Sequence, residues 1–414
     1  MAADFKYTFI LKTSIWLMVI HCLYNPEVVS GQKSRVLANQ AFDMMHYAEA
    51  VPLYEKYFAQ TSDTSALENI AICYLKLHDY KKAEKYLGRC YHRIKSNPKL
   101  YLKYAEMLYI NGNRDSSSVV VQNYIATYDS NVDAEKLNTS LSIYETMVAS
   151  QDDYNITQTS FSNGESDYCP TYYNNKIVFT SQRKGQIDPW TGKSWSSIYI
   201  TDESKEKAFE IEVEMSTGYH NGAVSFADPQ TMYFTTNSQV KGKFDDLNLH
   251  IAVAERSKEN KWVYSGLFPY YESEYSVAYP ALSTDGTKMI FSSDKIGGKG
   301  GYDLYMSDIK DGKWGTPVHL TEISTSGDDV FPYLDRKGNL YFASDGYPGL
   351  GGLDIYVISM DEYKEKTPTH ISAPINSSGD DFGLITKDDL ISGYLSSNRK
   401  GENGADRIYL FKKK

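Results

Sequence analysis

Residues 289–305 read MIFSSDKIGGKGGYDLY, and residues 340–356 read LYFASDGYPGLGGLDIY. Each stretch holds an apolar run, two small residues, a glycine-rich loop and a second run that ends in Tyr305 or Tyr356. Runs rich in β-branched and aromatic residues, separated by turn residues, predict short β-strands. Because the two stretches are nearly copies and lie 51 residues apart, they indicate a structural unit that is repeated along the chain.

The same phrase occurs five times between residues 152 and 414, at spacings of 51 to 57 residues. The predicted central strands are Ile177–Ser181, Met232–Thr236, Met289–Ser293, Leu340–Ser344 and Ser392–Ser396, and the strands after the loops are Ser197–Tyr199, Asn248–His250, Asp303–Tyr305, Asp354–Tyr356 and Arg407–Tyr409. Each copy has room for four short strands, and a four-stranded blade buries both faces only when neighbours stack around an axis. Small serines and threonines after the central strands allow that close approach. The sequence therefore predicts a five-bladed β-propeller over residues 152–414.

A closing strand is also predicted. Candidate outer strands lie between the copies, at Phe209–Val213, Trp262–Tyr264, Val318–Thr321 and Thr369–Ser372. The fifth copy ends after its third strand, and a matching stretch occurs at Asn155–Thr159, before the first copy. We expect this stretch to complete the last blade, because that removes an open sheet edge.

In residues 32–150 the apolar residues recur with the period of an α-helix instead. Tyr47-Ala48-Glu49-Ala50 is followed after 33 residues by Tyr80-Lys81-Lys82-Ala83, and after 34 more by Arg114-Asp115-Ser116-Ser117. This spacing predicts three helix-turn-helix repeats, with a capping helix over residues 134–148. The fold class is thus an α+β multidomain chain, in which an α-solenoid precedes an all-β propeller.

The helical repeats resemble the tetratricopeptide repeat (TPR). The middle copy carries the pattern with Leu67, Ile70, Ala71 and Tyr74 on its first helix and Ala83 and Leu87 on its second. The resemblance implies a concave face that binds protein partners, with candidate contacts at Arg35, Asn39, Asp43, Glu68, Ile72, Lys76, Glu106 and Tyr109. The alternative is that these are ordinary solvated helix positions.

The propeller segment is similar to the TolB-type, WD-repeat-like family, through Pro170, Pro280 and Pro332 before the central strands and through Asp285-Gly286. Helical repeats followed by such a propeller are similar to the N-terminal part of OmpA-type envelope proteins from bacteria that glide or use type IX secretion. Those proteins continue into a peptidoglycan-binding OmpA-like domain. Because this sequence ends at Lys414, the resemblance implies tethering through a partner rather than direct anchoring.

The N-terminus is typical of an export signal. Lys6 and Lys12 precede the apolar run 15–20, and Val29-Ser30-Gly31 supplies small residues for cleavage. We expect residues 1–31 to be a signal peptide and the protein to act in the periplasm or at the periplasmic face of the outer membrane; an uncleaved anchor is the alternative. His21 before Cys22 disfavours a lipoprotein. The net charge of −10 argues against binding to nucleic acids or anionic membranes.

No catalytic or metal-binding motif is evident, so the sequence predicts no enzyme, no cofactor and no metal. The eight histidines are scattered, and Cys73, Cys90 and Cys169 are expected to be buried thiols rather than a disulfide framework. Acidic pairs recur at Asp245-Asp246, Asp328-Asp329, Asp380-Asp381 and Asp388-Asp389. Turn chemistry is the favoured explanation for them, and calcium binding is the alternative.

The resulting hypothesis is a non-enzymatic scaffold that joins envelope proteins in secretion, gliding or outer-membrane assembly. Peripheral membrane association stays open. A module that binds carbohydrate or peptidoglycan fragments on the propeller face is the alternative, and a hydrolase with an unrecognised site is a third possibility.

Overall fold

The structure is a computed structural model that describes residues 26–214, 220–237, 248–387, 390–400 and 404–414. Most of the expected signal peptide, including Cys22, lies outside the described residues. Its last six residues, 26–31, are helical.

Eight helices occupy the N-terminal part of the described chain. They are α1 (Pro26–Asp43), α2 (Tyr47–Thr61), α3 (Ser65–Lys76), α4 (Tyr80–Arg89), α5 (Tyr91–Ile94), α6 (Pro98–Ile110), α7 (Arg114–Tyr128) and α8 (Val132–Val148). Local signals set their ends: the Asp79 carboxylate accepts the Lys82 N–H at 3.1 Å before α4, and Ser62 adopts a left-handed φ of 56° after α2. Ala50, Ala71 and Ala83 are fully buried, because small side chains allow helices to cross closely.

The chain divides into two compact units. Of the described residues, those up to Met107 form one unit with Asp188–Gly192, and Leu108–Ile187 with Lys193–Lys414 form the other. The sequence predicts a boundary near residue 151, yet α7 and α8 belong to the same unit as the propeller. Hydrogen bonds explain the difference: they run from Lys136 Nζ to the Asp345 carbonyl (2.8 Å), from the Gly349 N–H to Ser140 Oγ (3.1 Å) and from the Ala373 N–H to the Met147 carbonyl (2.9 Å).

Five antiparallel sheets form the blades, which confirms the predicted five-bladed propeller. Blade 5 combines the first strand, β1 (Tyr154–Gln158), with β20 (Asp381–Thr386), β21 (Ser392–Ser397) and β22 (Arg407–Lys413). Blade 1 holds β2 (Ser166–Tyr173), β3 (Lys176–Ile187), β4 (Ser194–Thr201) and β5 (Phe209–Glu210). Blade 2 holds β7 (Asn221–Asp228), β8 (Thr231–Thr236), β9 (His250–Arg256) and β10 (Trp262–Leu267), with β6 (Val213–Glu214) parallel to β10. Blade 3 holds β11 (Val277–Leu282), β12 (Lys288–Ser293), β13 (Asp303–Lys310), β14 (Lys313–Trp314) and β15 (Val318–His319). Blade 4 holds β16 (Asp329–Leu334), β17 (Asn339–Ser344), β18 (Asp354–Ser359) and β19 (Thr369–His370).

The outer strand of blade 1 is shorter than the sequence predicts. Only Phe209 and Glu210 pair with β4, and the Ile211 N–H still bonds to the Ile198 carbonyl of blade 1. Val213 then pairs with Trp262 of blade 2. The chain therefore crosses to the next blade within residues 209–213, which the sequence predicts to be a single strand.

The last blade is completed by the strand that precedes the first blade. β1 pairs antiparallel with β22, with Ile156 opposite Phe411, and the Thr159 N–H donates to the Ile408 carbonyl at 3.0 Å. The side chain of Ile156 packs against the core between blades 4 and 5. This pairing covers the outer edge of β22, so the ring is joined across its two chain ends.

Candidate functional site

Three of the eight candidate residues in the helical repeats, Arg35, Asn39 and Glu68, hold helices and turns together. The Arg35 guanidinium donates to Tyr57 Oη at 3.1 Å, and Asn39 Oδ1 accepts from Tyr54 Oη at 2.8 Å. Glu68 accepts from Arg93 Nε. These contacts explain the residue types at these positions without a partner.

The other candidates differ in accessibility. Asp43 and Lys76 are exposed at the last positions of α1 and α3, and Ile72 is half-buried. Glu106 is also half-buried and pairs with Lys103 one helical turn away, at 2.6 Å. Asp43 and Lys76 therefore remain as accessible charged candidates.

Tyr109 requires a correction, because it is not available to a partner. Its side chain is only 4% exposed, and its hydroxyl donates to the carbonyl of Gly349 at 2.8 Å. Burial raises its pKa well above the usual value for tyrosine. Tyr109 is thus a packing residue between the end of α6 and a loop of blade 4. The resemblance to the TPR implies a position on the concave face for Tyr109, but a local motif does not show which distant element covers that face.

In the propeller, the five innermost strands share a kink near the axis. One residue in each has a positive φ: Cys169 (51°), Ala223 (46°), Tyr279 (59°), Phe331 (52°) and Gly383 (56°). The pairing register of each inner strand shifts at this residue, as in a β-bulge. Four of the five are not glycine, and a left-handed conformation costs such residues about 1–2 kcal/mol. Contacts that recur between blades must therefore hold the kinks in place.

Serine and threonine hydroxyls supply those contacts. In three blades, a hydroxyl on the second strand accepts the N–H of the kinked residue in the next blade. The bonds are each 2.8 Å long, from Ala223 to Thr180, from Tyr279 to Thr235 and from Cys169 to Ser396. The last of these joins blade 1 to blade 5. The small polar residues at the ends of the central strands, which the sequence analysis assigned to close approach, are thus also hydrogen-bond acceptors that link blades.

Aromatic rings of neighbouring inner strands pack against one another. The ring centroids of Tyr279 and Phe331 lie 4.2 Å apart, and those of Phe331 and Phe382 lie 4.6 Å apart. Cys169 and Ala223 are buried in the same cluster. The rings are tilted relative to one another, which is favourable for aromatic pairs. Tyr279 and Phe331 also line a cavity on the axis.

The axial cavity has a volume of about 280 Å³ and is lined by all five inner strands. Its lining comprises residues 169–172, 223–226, 279–284, 331–334, 336 and 383–385. Thr171, Ser225, Ser283 and Thr284 bring hydroxyls to the wall, whereas Leu334 and Leu384 bring apolar surface. Within this described lining, Arg336 supplies the positive charge and none of the residues is Asp or Glu. Sequence reasoning found the prolines of this region but missed Arg336, which lies in an ordinary-looking turn, Asp335-Arg336-Lys337-Gly338.

The acidic pairs serve the loops between blades. Asp328 Oδ1 accepts the Tyr302 N–H at 2.9 Å, and Asp380 Oδ1 accepts the Leu353 N–H at 3.0 Å. Asp245-Asp246 and Asp388-Asp389 lie outside the described residues. In the part of the chain that the structure describes, no group of three or more His, Cys, Asp and Glu side chains could hold a metal ion.

The second acid of each described pair, Asp329 or Asp381, is buried, as is its counterpart Asp167 in blade 1, and the surroundings differ between blades. Asp381 pairs with Arg399 in blade 5, and Asp167 pairs with Arg183 in blade 1 at 3.1 Å. Asp329 of blade 4 instead accepts from the N–H and hydroxyl of Thr325. Burial raises the pKa of Asp329 to about 7. The three aspartates occupy equivalent positions in the repeat, and they differ in whether an arginine pairs with the carboxylate.

Cys73, Cys90 and Cys169 are free and buried, as the sequence predicts. Burial raises the pKa of Cys73 to about 12 and that of Cys90 to about 11, and it raises the pKa of Cys169 well above its usual value. Since the thiolate is the reactive form, these thiols are poor nucleophiles.

Comparison with known proteins gives structural neighbours and no sequence family. No protein-family model matches the chain, and no curated protein matches it. TolB from Acinetobacter baumannii is 15% identical with a TM-score of 0.36, over 68% of this chain and 71% of that one. The Arabidopsis OM64 TPR domain is 16% identical with a TM-score of 0.25, over 28% of this chain and 98% of that one. These likenesses concern the fold alone.

Glycoside hydrolases are also among the structural neighbours, and they correct the expectation about catalysis. The GH43 endo-arabinanase from Bacillus licheniformis is 12% identical with a TM-score of 0.39, over 61% of this chain and 95% of that one. An arabinofuranosidase and a xylosidase match at 10% identity. The prediction that the chain is no enzyme is therefore wrong as a deduction from its propeller. Loops and strands of every blade meet at the axis, so this architecture supports catalysis as readily as binding.

Proposed function

We propose that this chain is an interaction scaffold of the bacterial envelope, which binds protein partners through its helical repeats and its propeller. By resemblance, its setting is an outer-membrane-associated machine for secretion, gliding or outer-membrane assembly, of the kind that contains OmpA-type proteins. The partners would be other envelope proteins.

The observation that carries the proposal is the attachment of the last helical hairpin to the propeller. Helix α8 is held on blade 4 through Lys136 and Ser140 and on the neighbouring loop through Met147. Tyr109, at the end of α6, bonds to the same blade. The last helices of the repeat segment are thus part of the propeller unit, which suits a protein that carries helical repeats and a propeller as two binding modules in one chain.

Accessible charges on the repeats support a protein partner. Asp43 lies at the C-terminal end of α1, where the helix dipole disfavours a negative side chain by roughly 0.3–1 kcal/mol. Lys76, at the end of α3, is favourably placed and equally exposed. A partner surface with a positive group opposite Asp43 and a negative group opposite Lys76 would pair with both side chains.

Export to the periplasm is part of the proposal. It rests on the sequence features of residues 1–31 and on the TolB-type resemblance of the propeller. Among the described helices, none is long and apolar enough to cross a bilayer.

Crosslinking in intact envelopes tests the scaffold. The wild-type chain should co-purify with the same envelope proteins before and after glycan-degrading treatment, and the charge-swapped variant Asp43→Lys/Lys76→Glu should lose at least one of them. Lys81→Glu/Asp133→Lys is the matched control, because it also exchanges two exposed charges without changing the net charge. Complexes that disappear on glycan digestion, or that are lost equally in both variants, would contradict the proposal.

Glycan binding is a second candidate, favoured by the hydroxyl-lined axial cavity. A cavity of about 280 Å³ is small for a ligand pocket and would admit about one sugar ring. Calorimetric titration of the full chain with N-acetylglucosamine tests it. A dissociation constant of about 1 mM or below would support this candidate, and no heat at higher concentrations would remove it.

A further inference from the structure

We propose that the axial cavity of the propeller binds a carboxylate group, with the Arg336 guanidinium as its counter-ion and the hydroxyls of Thr171 and Thr284 as further hydrogen-bond donors. This site goes beyond the scaffold function and does not depend on it. The partner-binding face of the helical repeats can fail its test while this site passes, and the reverse also holds.

The charge of the cavity is opposite to that of the protein. The chain carries a net charge of −10, yet the described lining contains Arg336 and neither aspartate nor glutamate. A small concave site with low-dielectric walls concentrates the field of such a charge. The cavity is therefore a local site for anions on an acidic protein.

Two acidic side chains in the described hairpins beside the cavity, Asp335 and Asp285, are used by those hairpins. Asp335 accepts the backbone N–H groups of Lys337 and Asn339, both at 2.8 Å, and its second oxygen accepts Asn339 Nδ2 at 2.8 Å. Asp335 is only 8% exposed, whereas Arg336 is exposed. In the hairpin of blade 3, Asp285 accepts from Ser283 Oγ at 2.6 Å and from Thr287.

The basic side chain contributed by the next blade is also engaged. Lys387 of blade 5 pairs with Glu203 at 2.8 Å and lies 4.6 Å from the ring centroid of Tyr172. Over the ranges that the structure describes, Arg336 forms no ion pair with a carboxylate. Within the described lining, its guanidinium is therefore the positive charge that a ligand could meet.

The chemistry of the wall favours a carboxylate over a phosphate. One guanidinium balances one carboxylate and matches its two oxygens in a planar fork. A phosphate monoester carries about −1.5 to −2 charges near neutral pH and would keep part of that charge uncompensated. Thr284, which is exposed in the lining, offers a neutral hydroxyl donor beside that single charge.

The volume sets the size of the bound group. About 280 Å³ lies just below the usual range of small-molecule pockets and holds roughly one amino-acid residue or one sugar ring. Two sources share the required chemistry, namely the C-terminal carboxylate of a peptide and the carboxylate of a sugar acid.

Calorimetric titration of the full chain with matched probes tests the site. The acidic probes are N-acetylalanine and glucuronic acid. Their neutral partners are N-acetylalaninamide and glucose, which lack the carboxylate. At least one acid should bind with a dissociation constant of about 1 mM, and its neutral partner should bind at least about tenfold more weakly. The acid that binds more tightly identifies the source.

Variants then assign the counter-ion. Arg336→Gln should weaken binding of the acid at least about tenfold. The affinity of Arg336→Lys should lie between those of the wild type and Arg336→Gln, because lysine keeps the charge but cannot donate two parallel hydrogen bonds to a carboxylate. Lys337→Gln is the control from the same hairpin and should bind like the wild type. Urea unfolding checks that each variant is folded. Equal binding of acid and neutral probe, tighter binding of inorganic phosphate than of either acid, no binding of any probe, or unchanged binding in Arg336→Gln would overturn the proposal.

Discussion

Replacing Asp329 with asparagine should remove most of the pH dependence that this buried carboxyl group gives to the stability of the protein. Asp329 is fully buried at the start of β16, and it accepts the Thr325 N–H at 2.6 Å. Gly346 stands in blade 4 at the position that Arg183 occupies in blade 1. Without a cation, burial dominates and raises the pKa of Asp329 to about 7, from 3.8 in the unfolded chain.

The sign follows from the protons that each state binds. Between these two pKa values the folded state holds a proton on Asp329 that the unfolded state has released. The contribution of Asp329 to stability is therefore complete below about pH 4 and is lost as the pH rises through 7. At about 1.4 kcal/mol for each unit of difference, the total is roughly 4 kcal/mol, of which about 2–3 kcal/mol falls between pH 5 and pH 8. Asparagine keeps an acceptor for Thr325 and does not titrate.

Urea unfolding of the wild type and of Asp329→Asn, at about pH 5 and pH 8, measures this difference. The free energy of unfolding of the variant, relative to that of the wild type, should rise by about 2–3 kcal/mol from the lower to the higher pH. Asp167→Asn is the matched comparison: it leaves Arg183 unpaired in blade 1 and should destabilise the protein at both pH values. A relative stability of Asp329→Asn that does not change with pH, or that changes in the opposite direction, would refute the reasoning.

Three further predictions concern the ring and its thiols. Thr235→Val removes the acceptor for the Tyr279 N–H and should cost about 1–3 kcal/mol in urea unfolding, whereas Thr235→Ser keeps the hydroxyl and should cost less. Ile156→Ser, on the core-facing side of the closing strand, should cost about 1–2 kcal/mol, and Thr157→Ser on the exposed side should stay within about 0.5 kcal/mol; equal effects would contradict the role of β1. The three described cysteines should resist maleimide labelling in the native protein and react in urea, as mass spectrometry would show; fast native labelling would contradict their burial.

Much of the fold could be predicted because both modules are repeats. Helices begin at Tyr47, Tyr80 and Arg114, the residues at which the sequence copies align. The central strand of every blade contains its predicted run, because an alternating apolar phrase that recurs five times has few other ways to be buried. Periodicity predicts elements well, since local sequence determines which face of each element is apolar.

The candidate sites were less predictable, for reasons that particular residues make plain. Tyr109 has the spacing of a groove residue, but a loop of blade 4, 240 residues away, buries it. Arg336 has no distinctive motif, and it gains meaning because five inner strands converge on one axis.

The sequence by itself determined the number of blades, the helical repeats and the residues that form their cores, because these depend on local patterns that recur. Only the tertiary structure decided which side chains remain available to a ligand or partner. Accessibility and charge compensation depend on contacts between residues that are far apart in the chain. Asp329 and Arg336 are the two examples. Asp329 lacks the arginine that its counterparts in blades 1 and 5 possess, and Arg336 lies in a cavity whose described lining contains no carboxylate.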